Sequence, residues 1–147
     1  MTEVLKLCIA QNSGEMMKDV IEIEVIVNKG ILMDRYFKDN NESDIQITLI
    51  ESENIDYYNN ISDIKIPYIN FRRNIITRGV QLNNLVDKQF YIGNVKLIGH
   101  RLCDPCKYLQ DMLKDNQLVK KLINRGGLRC EILTSGKISI EDKIKII

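Results

Sequence analysis

Short apolar runs punctuated by turn residues dominate this chain, and several alternate with polar residues at a period of two. Val4 to Ala10 predicts a first strand, and Gln11-Asn-Ser-Gly14 a turn. Val20 to Val27 predicts a half-buried strand. It places Ile21, Ile23, Val25 and Val27 on one face and Glu22 and Glu24 on the other, and Lys29-Gly30 ends it. Residues 38–43 are polar and aperiodic, a loop. Ile45 to Ile50 is a β-branched strand, and Glu51 to Ile61 predicts a helix with Ser52 as its cap. Residues 63–70, with Pro67, are irregular. Asn74 to Thr77 forms a short strand ended by Gly79, and Gln89 to Leu102 a hairpin around Ile92-Gly93-Asn94. One or two short helices cover roughly 105–124 until Arg125-Gly-Gly127 breaks them. Leu128 to Leu133 is a strand, Thr134-Ser-Gly136 a turn, and Ile138 to Ile147 strand-like. The sum is a mostly β fold with a few short helices, a barrel or a sandwich. Helices too few to alternate with strands exclude a doubly wound parallel sheet.

The length of 147 residues predicts a single domain over 1–147, with chain enough for a core. With 44% hydrophobic and 28% charged residues, the composition is that of an ordinary globular protein. No apolar run approaches the roughly 18 residues of a membrane helix, and the N-terminus lacks a basic leader. Four cysteines in that context predict a cytoplasmic protein with free thiols. The net charge of +1 hides an asymmetry. Residues 1–70 carry 6 Lys/Arg against 13 Asp/Glu, whereas residues 71–130 carry 12 against 4. The basic segment suits an anionic ligand; its few aromatics and lack of a binding module argue against nucleic acid.

That segment contains Cys103-Asp-Pro-Cys106, preceded by His100. Asp104 reads as a helix N-cap and Pro105 as the first helical position, which puts Cys106 in the first turn. The helix dipole, with Arg101 and Lys107 nearby, favours the thiolate there, the form that attacks or binds metal. The same residue also fits an apolar helix face with Leu109 and Leu113. A zinc site would need further ligands, with Cys8, Cys130 and His100 as the candidates; a Cys-x-x-Cys redox pair would want a βαβ setting. Cys8 and Cys130 fall within strands, as core residues do. Phe71-Arg-Arg-Asn-Ile-Ile-Thr-Arg-Gly79 offers Arg72, Arg73, Asn74 and Thr77 as donors for an oxyanion, or a solvated edge strand. Asp34 and Arg35 form either a buried polar pin or an exposed pair. Gly126 and Gly127 either bring backbone N–H groups close to a ligand or simply stop a helix.

In this order and spacing these stretches resemble a MOSC domain, the module named for the C-terminal region of molybdenum cofactor sulfurases. The matches are Gly30-x-x-x-Asp34-Arg35, Gln46-Ile-Thr-Leu-Ile-Glu51, Arg72-Arg-Asn-Ile-Ile-Thr-x-Gly79 with Leu82, and Gly93. They continue with Arg101-Leu-Cys-Asp-Pro-Cys106 and Leu109, Arg125-Gly-Gly-Leu-Arg129, and Ile132-Leu-x-x-Gly-Lys-Ile138 with Asp142, so that the resemblance spans roughly 20–145. It implies a MOSC-type β-barrel of the small stand-alone bacterial kind, without the extra N-terminal domain of the larger reductases. It implies a molybdenum cofactor (molybdopterin), with Cys106 as metal ligand or persulfide carrier. Arg72, Arg73, Asn74 and Thr77 would contact the pterin or its phosphate, and Asp34 and Arg35 would line or brace the pocket. The activities implied are those of a molybdenum-dependent oxidoreductase or a sulfur carrier charged by a cysteine desulfurase. The contrasting reading is a non-catalytic binding domain with structural cysteines.

Overall fold

The structure is a computed structural model that describes residues 2–62, 65–104 and 107–147. The chain runs β1 (Glu3–Ile9), β2 (Lys18–Val20), β3 (Glu22–Ile26), β4 (Gly30–Ile31), β5 (Ile47–Glu51), α1 (Ser52–Ser62), β6 (Ile75–Arg78), β7 (Gln89–Ile92) and β8 (Val95–Leu102). It then runs α2 (Lys107–Met112), α3 (Leu118–Lys121), β9 (Leu128–Ile132), β10 (Gly136–Ser139) and β11 (Ile144–Ile146). Two 3₁₀ turns, Tyr68–Phe71 and Leu82–Leu85, flank β6. The molecule is mostly β, as the alternation predicts. No helix among the described residues is long and apolar enough to cross a membrane.

Eight strands pair in the order β11-β7-β8-β9-β5-β6-β1-β2, and three more in the order β10-β3-β4. All the pairs are antiparallel except β5 with β6. The large sheet curls back on itself. Glu3 at the start of β1 bridges Lys143, just before β11, and the Val4 N–H donates to the Asp142 carbonyl at 2.9 Å. That contact joins the two ends of the chain and leaves few open strand edges.

Alternation assigns each strand two faces. Leu7, Ile47, Leu49, Ile75, Phe90, Leu97 and Cys130 point into the barrel, where Ile23, Val25 and Ile138 of the small sheet join them. Cys8, Ile50 and Ile76 point outward and are covered by Ile55 and Tyr58 of α1, Leu109 of α2 and Leu118 of α3. The helices therefore form a layer over the outer face of β1, β5 and β6.

The segment predicted as one strand over 20–27 is divided. The chain turns a corner at Ile21 to pass from the large sheet to the small one, and the corner turns Ile21 outward, 75% exposed. Val27 has already entered the turn to β4 and is also exposed. Ile23 and Val25 keep the predicted inward face.

Candidate functional site

Where the helical layer ends, the outer face of the barrel is open to a cavity of about 130 Å³. Four guanidinium groups line it, from Arg35, Arg72, Arg73 and Arg129, together with Tyr36, Thr48, Leu109 and one carboxylate, Asp104. A second hollow of about 390 Å³ shares Arg35, Tyr36 and Arg72 with it and extends toward Ser13 and Gly14.

Local structure sets each arginine. Arg72 follows the 3₁₀ turn Tyr68–Phe71 in the left-handed region, φ 61° and ψ 32°, which few non-glycine residues adopt. Its N–H donates to the Ile69 carbonyl at 3.2 Å, and its Nη1 to the Glu15 carbonyl at 2.6 Å. Arg73 donates through Nε to the Gly126 carbonyl at 2.9 Å and through Nη1 to the Phe71 carbonyl. Arg35 is almost fully buried. Its Nη1 lies 3.3 Å from Asp34 Oδ1 and 3.2 Å from Met17 Sδ, its Nη2 donates to the Arg72 carbonyl, and its guanidinium covers the Tyr36 ring at 4.5 Å. Arg129 stands opposite Thr48 where β9 pairs with β5. Its Nε is buried and has no hydrogen-bond partner among the described residues. Three of the arginines are thus tied to backbone carbonyls, and the fourth keeps a desolvated donor unused.

Asp34 is the pin rather than a wall of the cavity. Its Oδ1 accepts the Ala10 N–H at 3.1 Å as well as Arg35, and its Oδ2 is buried without a described partner. Asn74 and Thr77 are turned into the fold. The Asn74 amide is 1% exposed; Oδ1 accepts from Thr48 N and Oγ1, and Nδ2 donates to the Cys8 carbonyl. Thr77 Oγ1 donates to the Ile50 carbonyl. Both reach the cavity only through the strands they brace, because their polar atoms are already paired with backbone and Thr48. Gly126 acts through its carbonyl on Arg73. Gly127, at φ +106°, packs so tightly that an added Cβ would lie 2.0 Å from the Leu49 carbonyl oxygen.

Cys106 and Pro105, the predicted first helical position, lie outside the described residues. Their sequence neighbours Asp104 and Leu109 both line the cavity. Arg101, read as a neighbour favouring the thiolate, donates to Asp44 at 2.7 Å. The other cysteines are core groups. Burial pushes the Cys8 thiol up to about 12, with the Asp19 carboxylate adding to the shift. Burial also holds Cys130 well above the ordinary range. Cys8 belongs to the outer core and Cys130 to the barrel interior, so these two do not converge as zinc ligands would. His100 pairs with Glu131 at 2.8 Å, and no cluster of three or more metal-ligating side chains occurs among the described residues. Arg129, Tyr36 and Thr48 are not among the site residues expected from the sequence, and Asp104 is expected there only as a helix cap. Arg129 occupies the polar phase of β9, between inward Leu128 and Cys130, where a solvated residue is the ordinary expectation.

A family model described as MOSC domain matches residues 35–145. No curated protein matches the sequence. Among solved structures, the YuaD protein from Bacillus subtilis superposes with a TM-score of 0.86 at 16% identity, covering 99% of this chain and 96% of that one. YiiM from Geobacillus stearothermophilus gives 0.82 at 13% identity, over 100% of this chain and 75% of that one. YiiM from Escherichia coli gives 0.72 at 16% identity, over 99% and 68%. At such identities these likenesses establish the fold.

Proposed function

The chain belongs to the MOSC domain family, and from that premise we propose that it binds the anionic pterin of a molybdenum cofactor in the arginine cavity, with Cys106 as the thiolate that ligates the metal or carries its sulfur. Family membership supports a role linked to that cofactor in general; the cavity supports the specific reading. The observation that carries it is the buried, unpartnered Nε of Arg129 beside three further guanidinium groups. An unpaired buried donor costs roughly 1–3 kcal/mol, more when charged, and a bound anion would remove that cost. Arginine suits phosphate because its fork bonds two oxygens at once.

The size of the site agrees. The 130 Å³ cavity is large enough for one compact oxyanion group. With the adjoining 390 Å³ hollow it reaches the range of about 300–1,000 Å³ typical of small-ligand sites. In this reading Arg72, Arg73 and Arg129 hold the anionic group and Arg35 and Tyr36 the edge of the ring system. Asp34 fixes Arg35 and the 10–17 segment, Asn74 ties β6 to β5 and β1, and Gly126 orients Arg73. Thiolate is the soft donor that such a metal accepts. When bound, the cofactor supplies a redox-active metal centre.

As sulfur carrier, the Cys106 thiolate would attack the outer sulfur of a desulfurase persulfide. The S–S bond of the donor breaks, its cysteine leaves as thiolate, and Cys106 keeps the persulfide. Metal analysis after expression in a cofactor-producing host tests the ligand role. Wild type should carry molybdenum and Cys106→Ser should not; wild type no richer than the variant contradicts it. Intact mass after incubation with a cysteine desulfurase tests the carrier role, which requires a gain of one sulfur that Cys106→Ser abolishes.

A further inference from the structure

The Arg125-Gly-Gly127 turn borders a second hollow besides the arginine cavity. A groove of about 640 Å³ lies between α1, the 3₁₀ turn Leu82–Leu85 and the turn from α3 to β9. Its chemistry is different, because side-chain amides dominate the lining. Those amides are held in place. Asn83 Nδ2 donates to the Asn124 carbonyl at 2.9 Å, and Asn84 Nδ2 to Gln81 Oε1 at 3.0 Å, which leaves the Asn83 and Asn84 oxygens without a described donor. Arg125 is fixed as a wall, bonded to Asn54 Oδ1 at 2.9 Å and stacked on Tyr57 at 3.8 Å. Glu51, half-buried at the end of β5, accepts the Leu82 N–H at 3.0 Å through Oε1. Burial raises its pKa against the pull of that N–H. Lys121 is already paired with Asp115, whereas Lys120 pairs with no carboxylate among the described residues.

From this arrangement we propose that the groove is a second binding site for a sugar phosphate, with Glu51 and the Asn83 and Asn84 amides taking vicinal hydroxyls and Lys120 taking the phosphate. An acid and two amide oxygens in one groove offer several acceptors for hydroxyls, and a carboxylate holds the ribose hydroxyl in this way at dinucleotide sites. A hydroxylated ligand matches a polar concave lining where an apolar one would strand these groups. Lys120 is the lining cation not already bonded to a described acid or amide, and it suits one anionic group.

Titration of the ¹⁵N-labelled protein with ribose 5-phosphate tests the inference, with ribose and inorganic phosphate in parallel. The sugar phosphate should give saturable shifts in residues 81–84 and 120–125. Lys120→Ala and Asn84→Ala should each weaken it by about tenfold, the effect of losing one good polar contact, and Arg73→Ala should leave it unchanged. Three outcomes overturn the proposal: no saturable shift, affinity no better than that of inorganic phosphate, or binding indifferent to Lys120→Ala and Asn84→Ala. Shifts centred on Arg72 and Arg129 and abolished by Arg73→Ala also overturn it, since they place the ligand in the arginine cavity.

Discussion

Arg129 carries most of the functional argument, and its energetics can be separated from packing. A guanidinium whose buried Nε has no partner among the described residues destabilises the ligand-free protein. Replacing it with an unbranched apolar side chain of similar length removes that burden. Arg129→Met should therefore leave the melting temperature in ligand-free buffer unchanged or raise it, and should abolish the stabilisation that added phosphate gives the wild type. Differential scanning calorimetry with and without phosphate reads both effects; a variant that melts lower yet keeps the phosphate response contradicts the assignment. The cysteines allow a parallel check. A thiol whose pKa is raised by burial is protonated and shielded near pH 8, as Cys8 and Cys130 are. Native-state alkylation at pH 8 should modify Cys106 well before either of them, and peptide mapping that finds equal rates would remove the case for Cys106 as the reactive sulfur.

The helical layer matters because it forms one wall of the cavity through Leu109. It is tied to itself by one polar cluster. Tyr58 of α1 donates to Asp115 Oδ2 at 2.5 Å, and Asp115 also accepts from the Gln117 N–H and from Lys121. The Tyr58 hydroxyl, then the Gln117 N–H and Lys121, hold the Asp115 carboxyl below its ordinary range. A folded-state pKa below the unfolded value of about 3.9 means stability that is present above that pH and lost as pH falls toward the folded value. Asp115→Asn should lower stability at pH 7 and flatten the acid limb below about pH 4, as denaturant unfolding across pH would show; an unchanged limb contradicts the tie. The β5–β9 contact sets the opposite wall. Gly127→Ala should cost several kcal/mol, far beyond the roughly 1–2 kcal/mol of a non-glycine residue in left-handed backbone, since its Cβ would meet the Leu49 carbonyl. Gly14→Ala has open space around it and should stay near that lower figure in urea unfolding. The same elements explain what the sequence could disclose. Strands with two distinct faces, such as β8 and β9, are legible because alternation reports burial. The break at Ile21 is not, because a corner between sheets preserves the alternating pattern while reversing what it faces. The left-handed turn at Arg72 is likewise silent, since no glycine marks it.

The curled sheet joins residues from both ends of the chain, with Glu3 bonded to Arg78 and Lys143 at the seam. Its outline persists in structures only 13–16% identical to it, which follows if the alternating pattern and turn positions rather than particular side chains define the fold. The candidate site was legible in part for the same reason. Arg72 and Arg73 stand out as adjacent cations, and Asp34 with Arg35 as a pair. Arg129 joins them only because β9 pairs with β5, and Asn74 and Thr77 turn inward to tie β6 to β5 and β1. The account therefore rests on Arg72, Arg73 and Arg129 acting together on one anion, with Arg35 beside them. The most direct measurement is the pterin released per chain, as its fluorescent oxidation product, from protein purified from a cofactor-producing host. Wild type should release pterin, and Arg73→Ala/Arg129→Ala should lose it while staying folded. Equal pterin in wild type and the double arginine variant, or none in wild type, would contradict the central claim.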